Sequence, residues 1–247
     1  MACIDAPEAC LYDFLPSAVI VHLTMWLDPM SILNFATTCH FLKQTLLDLD
    51  AFIWSPILER MLKGKQVSDY QVAVANRIKA DSERGGIRNQ IKFLVQDSTR
   101  QSIMPDEIES LTWAFRFKEC AGEFWSQLDP YWSDPDRKAF LRRKFTTVDG
   151  VNRVVSADGS LDQLELWAHQ INLQIKWRIN KTRHGTKAPN GGHYLQINKW
   201  PSMVIERDPV TWGWKIHNQW VAYISPCTTE NLTRLHDELE NDVARFC

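Results

Sequence analysis

Seven histidines, six cysteines and eleven tryptophans are the residues of this chain with the most specific chemistry. The histidines are His22, His40, His169, His184, His193, His217 and His236. A zinc protease needs two histidines one helical turn apart, so that both rings face one metal, with a glutamate beside the first. A zinc deaminase needs a histidine and a glutamate followed by a paired-cysteine motif. Neither spacing occurs. The cysteines (Cys3, Cys10, Cys39, Cys120, Cys227 and Cys247) are scattered and form no CxxC pair. That is the pattern of free thiols in a reducing compartment, not of a disulfide or zinc framework. Cys39 and His40 are adjacent, but a thiolate and an imidazole must converge in space to act together. Cys39 is instead expected on an apolar helical face. There is no GxSxG elbow and no GxGxxG loop, and Gly191-Gly192 is not followed by the Lys-Ser/Thr of a P-loop. No catalytic residue, metal ligand or cofactor is therefore expected, and the chain reads as a binding protein, not an enzyme.

The tryptophans are unevenly placed. Trp26 and Trp54 are the only two in the first hundred residues, and the rest fall between Trp113 and Trp220. Such a shift marks a second domain with different packing. Tryptophan fills cores, and it also anchors interfaces. Trp132, Trp200 and Trp212 stand beside proline, glycine or acidic residues in expected loops, so they are the candidates for exposed target contacts. Arg178, Lys181, Arg183, His184 and Lys187 precede Asn190-Gly191-Gly192. This is either a solvated basic loop or a site for an acidic or phosphorylated motif, and Arg183 joins the target-binding candidates on that ground. The net charge of −2 makes no case for nucleic acid. No run approaches the roughly 18 apolar residues of a membrane span, and no leader is seen at the N-terminus. A soluble intracellular protein, of cytoplasm or nucleus, is expected.

These side chains must be positioned by two kinds of element. Up to about residue 100 the apolar period is helical. Leu15-Pro16 opens a helix carrying Val19, Ile20, Leu23 and Leu27, which Asp28-Pro29 ends. Ile32, Leu33, Ala36 and Cys39 form a second stripe. Trp54, Ile57, Leu58, Met61 and Leu62 form a third, expected to start at Ser55-Pro56. Residues 66–100 read as two further helices broken at Gly85-Gly86, and 98–110 as loop, with Pro105-Asp106-Glu107 opening a short turn. From Leu111 the period becomes two. Trp113, Phe115 and Phe117 alternate with polar or small residues, and Leu173, Ile175, Trp177 and Ile179 alternate strictly. Residues 140–146 and 151–155 flank Asp149-Gly150 as a hairpin, and 194–199, 203–206, 212–217 and 220–224 complete a set of short strands. Leu232, Leu235, Leu239, Val243 and Phe246 then predict one amphipathic helix. The expected fold is α+β: a helical domain at 13–62, a helical linker at 63–110, and at 111–247 a Trp-rich antiparallel sheet, sandwich or barrel-like, ending in a helix.

The first fifty residues of this pattern resemble the F-box family, which docks onto the Skp-type adaptor of cullin ubiquitin ligases. The matching features are Leu15-Pro16, Val19, Leu23, Leu27-Asp28-Pro29, Ile32-Leu33, Cys39 and Trp54. Leu42 stands where the family often has an aromatic residue. The resemblance implies an adaptor-binding surface of Leu15, Pro16, Val19, Leu23, Ile32, Leu33 and Cys39. It implies a substrate receptor of an SCF-type ligase, with the adaptor and a cullin as partners and an unknown protein target held by the C-terminal domain. Two other readings stand beside it: an F-box protein acting outside a ligase, and a lectin-like glycan reader that stacks sugars on tryptophan.

Overall fold

A computed structural model describes residues 15–83, 85–181, 193–225 and 228–241. They divide into two compact units. The first takes the described residues up to Gly64 together with Tyr70–Ser98. The second takes Lys65–Asp69 together with the described residues from Thr99 onward. The segment 63–110 is thus shared between the two units.

The first unit is helical. Pro16 precedes α1 (Ser17–Thr24). Asp28 starts a helix as well as ending one. Its carboxylate accepts from the Met30 and Ser31 amides at 2.9 and 3.0 Å, making it the N-cap of α2 (Pro29–Phe35) with Pro29 at the first helical position. Cys39 is not on the apolar face of α2. It caps α3 (His40–Asp48), its Sγ facing the Leu42 amide at 3.5 Å. The next helix, α4 (Asp50–Leu62), starts earlier than Ser55-Pro56 and carries Pro56 in its interior. An interior proline costs about 3 kcal/mol. Ile53, Trp54 and Ile57 are buried around it, each favoured by about 1.5–3 kcal/mol, so packing outweighs the local penalty. Trp54 also donates its Nε1–H to the Leu46 carbonyl at 3.1 Å.

Gly85 separates α5 (Asp69–Asp81) from α6 (Gly86–Ser98) at φ +71°, where a Cβ would meet Leu47 Cδ2 at 2.8 Å. The positive φ favours glycine there, and a Cβ would also have to displace the tip of the Leu47 side chain. Asp50 then receives the Ile87 and Arg88 amides at 3.2 and 3.4 Å. Ile87 and Ile91 of α6 join the core built by Ile20, Ile32, Leu33, Leu46 and Trp54.

In the second unit, the short turn expected to open at Pro105 is a helix, α7 (Pro105–Ser110). Next come β1 (Thr112–Phe117), a 3-10 turn at Glu119–Ala121, α8 (Glu123–Ser126), α9 (Pro130–Ser133), β2 (Leu141–Val148) and β3 (Val151–Ser156). After α10 (Gln163–Gln170) follow β4 (Trp177–Lys181), β5 (His193–Ile197), β6 (Met203–Arg207), β7 (Trp214–His217), β8 (Val221–Ile224) and α11 (Thr229–Asn241). The strands form one sheet in the order β3-β2-β1-β8-β7-β6-β5-β4, antiparallel throughout. Among the described residues its two edges meet at a single bridge between Arg153 and Lys176, with the Val154 amide 2.8 Å from the Ile175 carbonyl. The sheet is therefore an almost closed up-and-down barrel. The long alternation at 173–179 is a strand only from Trp177, because the chain before it touches the opposite edge at that one bridge.

An eight-stranded barrel is just wide enough for side chains to fill it. Trp113, Phe115, Phe145, Trp177, Leu195, Ile205, Trp214, Ile216 and Tyr223 do so. On the outside, Ala114, Ala222 and Ile224 are covered by Leu232, Leu235 and Leu239 of α11. Val243 and Phe246 lie outside the described residues. The Asp149-Gly150 turn has φ +51° and +72°, the left-handed pair of a two-residue hairpin. No helix of the described residues is long and apolar enough to cross a membrane.

Candidate functional site

The first unit carries more apolar surface than it buries. Pro16, Val19, Leu23 and Trp26 follow at intervals of three, four and three, one stripe along α1 and the turn after it. Val19 and Leu23 are exposed, and Trp26 is 79% exposed. Met25, Met30 and Phe52 are also exposed, Phe52 by 68%. An apolar cavity of about 500 Å³ lies beside them, lined by Val21, Met25, Phe52, Pro56 and Arg60 among others. The turn bearing Met25 and Trp26 is held in place, because the Arg60 guanidinium donates to the Met25 carbonyl and to that of Leu27 at 2.8 Å. The Ser31 hydroxyl and amide, together with the Met30 amide, hold the Asp28 carboxyl below its ordinary range, so this cap stays charged in mildly acidic solution.

The expected adaptor-binding residues divide on this surface. Pro16, Val19 and Leu23 lie on the exposed stripe. Leu15 is half-buried against the core, and Cys39 is half-buried at its cap. Ile32 and Leu33 are buried in the core and form no surface. Met25, Trp26, Met30 and Phe52 are exposed apolar residues outside the expected adaptor-binding set.

In the second unit the aromatics converge at one end of the barrel. Antiparallel strands joined in sequence place alternate connections at the same end. The β1–β2 connection supplies Phe124 and Trp125, β3–β4 supplies Trp167, β5–β6 supplies Trp200 and β7–β8 supplies Trp220. Trp125 is central, 5.0 Å from Trp167, 6.0 Å from Trp200 and 5.4 Å from Phe117 between ring centroids. The Trp167 and Trp200 contacts are edge-to-face, an arrangement aromatic pairs favour. Phe117, Ala121, Trp125, Trp200, Trp220 and Val221 enclose a cavity of about 250 Å³.

Hydrogen bonds to backbone carbonyls hold its rim. The Lys118 amide donates to the Trp220 carbonyl at 2.8 Å, the Cys120 thiol donates to the Gln219 carbonyl at 2.6 Å, and Asn218 Nδ2 donates to the Pro201 carbonyl at 3.1 Å. Asp129 fastens the α8–α9 insertion to the barrel by accepting the Phe117 and Tyr131 amides at 2.9 and 3.1 Å.

The three expected target tryptophans do not meet. Trp200 lines the aromatic cavity. Trp132 belongs to α9 and donates to the Phe117 carbonyl at 2.9 Å. Trp212 is buried at the opposite end of the barrel under Lys65, against the expectation that it is exposed. Its φ of +60° is rare for a bulky residue and marks a turn fixed by Asp208, which accepts from the Thr211 amide at 2.9 Å. Arg183 lies outside the described residues, as do His184 and Lys187. Arg178 pairs with Gln196. Among the described residues no three His, Cys, Asp or Glu side chains converge as a metal site. His217 does meet a carboxylate, Glu206, at 3.3 Å, but its ring is buried.

Two buried groups beside α9 set an acid-dependent feature. Burial pushes the Asp129 carboxyl up to about 6. Burial, with Arg116, Arg137 and Lys118 nearby, pulls His236 down to about 4. For Asp129 the folded state keeps a proton that the unfolded state releases above 3.8, so stability falls as pH rises from 3.8 to about 6. For His236 the unfolded state takes up a proton below 6.5 that the folded state refuses, so stability rises with pH from about 4 to 6.5. The two slopes oppose each other. In urea denaturation at stepped pH, His236→Phe is expected to expose the falling slope and Asp129→Asn the rising one. Variants that both keep the wild-type profile would show that neither group has the shifted titration.

Comparison with known protein families, curated proteins and solved structures gives no match for this chain.

Proposed function

We propose that the chain is the substrate receptor of an SCF-type cullin ubiquitin ligase. The F-box-like unit docks a Skp-type adaptor, and through it a cullin, while the Trp-rich barrel holds a protein target. The reading needs no chemistry on this chain, because holding the target near a charged ubiquitin carrier raises its effective concentration. The observation that carries it is the exposed stripe of Pro16, Val19, Leu23 and Trp26, in a unit that also exposes Met25, Met30 and Phe52. A helical unit with this much uncovered apolar surface is suited to a permanent partner, and the stripe falls on the segment that resembles the family.

Pull-down of the adaptor by the full chain tests the proposal. Val19→Asp with Leu23→Asp should weaken adaptor binding about a hundredfold, taking roughly tenfold for each interface anchor lost. The helical circular dichroism should stay unchanged, since both side chains are exposed. Ile32 and Leu33 are poor choices here, because substituting them opens the core. Full adaptor binding by the double variant would remove the claim. Cullin in the same pull-down separates a ligase receptor from an F-box protein acting outside a ligase.

A further inference from the structure

We infer that the aromatic cavity at the barrel mouth is a one-anchor peptide pocket, which takes a single bulky uncharged side chain of a protein partner. The inference rests on the receptor reading for its biological sense and on the cavity for its physics.

Size and polarity select the occupant. The six lining residues, Phe117, Ala121, Trp125, Trp200, Trp220 and Val221, carry no ionisable group. A carboxylate or a primary ammonium placed among them would lose its hydration without gaining an ion pair, and the ring faces return only about 0.5–2 kcal/mol to a cation. The volume of about 250 Å³ is below the roughly 300–1,000 Å³ of a pocket for a whole drug-sized ligand, but it is enough for one large side chain. The aromatic surface also continues beyond the cavity. Trp220 is 39% exposed and Phe124 is largely exposed, with the Phe124 ring 5.3 Å from Trp125 and 6.3 Å from Trp167. A small free ligand would fill the hole and leave this rim uncovered. A side chain belonging to a peptide would fill the hole while its neighbours cover the rim, the arrangement of an interface anchor within a water-excluding ring. The ties from Lys118, Cys120 and Asn218 keep the rim in place before binding, which lowers the ordering cost. A sugar suits the site less well, because the side chains of these six residues can offer its hydroxyls only indole N–H donors and no acceptor.

Nitrogen-15 spectra of the full chain test this, with the indole signals of Trp125, Trp200 and Trp220 assigned by single Trp→Phe changes. N-acetyl-tryptophanamide and N-acetyl-leucinamide should shift those signals saturably, and N-acetyl-lysinamide should not. The peptide Ala-Ala-Trp-Ala-Ala should bind more tightly than N-acetyl-tryptophanamide. Ala121→Trp, which fills the cavity, and Trp220→Ala, which removes an exposed wall, should each weaken binding about tenfold or more, with the remaining signals reporting an intact fold. The inference is overturned by absence of saturable shifts with both apolar probes. It is equally overturned by stronger binding of choline or methyl glucoside, by equal affinity of peptide and free amide, or by indifference to both variants. Adaptor pull-down from the same sample keeps the two readings apart. Lost adaptor binding with intact shifts removes the receptor reading alone, and absent shifts with intact adaptor binding remove the pocket alone.

Discussion

Trp113→Ala is expected to lower the stability of the barrel by about 3–5 kcal/mol, the range for deleting a large aromatic from a packed core. Trp113 is 0% exposed. Its ring meets Phe145 edge-to-face at 5.6 Å, and its Nε1–H donates to the Ile108 carbonyl at 3.0 Å. The alanine variant loses the transfer free energy, leaves a hole between β1 and β2, and strands an acceptor at the end of α7. Trp113→Phe separates these contributions: most of the packing stays, and the orphaned carbonyl costs about 1–3 kcal/mol. Trp26→Ala is the control for residue type, and with its ring in solvent it should move stability by no more than about 0.5 kcal/mol. Urea unfolding followed by near-ultraviolet dichroism reads all three. A Trp113→Ala midpoint equal to that of Trp26→Ala would mean that the barrel interior is not packed as described.

The same contrast explains what sequence periodicity reveals and what it hides. Alternation of Trp113, Phe115 and Phe117 reports which face of β1 is buried, because the strand period is two. The strands of the barrel and the helical stripes of the first unit were legible for that reason. Periodicity says nothing of where a connection lands. Trp125, Trp167 and Trp220 therefore looked like ordinary loop or core residues, although each lies in an odd-to-even connection and all must share one end once eight sequential antiparallel strands are counted. Trp212 lies in an even-to-odd connection and falls at the other end. Neighbouring glycine and acidic residues made it look exposed, whereas Lys65, far away in sequence, covers it. The edge contact of Arg153 with Lys176 is a single bridge and leaves no periodic trace, so barrel and sandwich could not be separated. Local turn chemistry misled in the first unit: Ser55-Pro56 has the form of a helix start, yet the burial of Ile53 and Trp54 carries α4 through the proline. Ile32 and Leu33 carry the family resemblance, but a stripe of apolar residues does not say which of them a fold keeps for itself.

Arg100→Ala should cost the second unit about 3–5 kcal/mol, the range for breaking a buried ion pair from one side. Glu107 has only 1% of its side chain exposed, and Arg100 meets it with two nitrogens at 2.7 and 2.8 Å. Glu107 also accepts from the Ser68 hydroxyl and from the Met104 amide, both at 3.1 Å. It thereby joins the start of α7 to the segment before α5, while the Arg100 guanidinium lies 5.3 Å over the Trp214 ring. Removing the cation leaves a carboxylate in a dry site with two neutral donors, which cannot replace a bidentate charged pair. The penalty comes chiefly from the stranded charge, not from the attraction lost. Glu107→Gln placed on top of Arg100→Ala should therefore recover part of the stability, although it removes a second native group. That sign distinguishes a charge-desolvation penalty from simple loss of contacts, for which the double variant would be less stable than either single one. A double-mutant cycle in urea measures it directly, and a double variant below Arg100→Ala would refute the account.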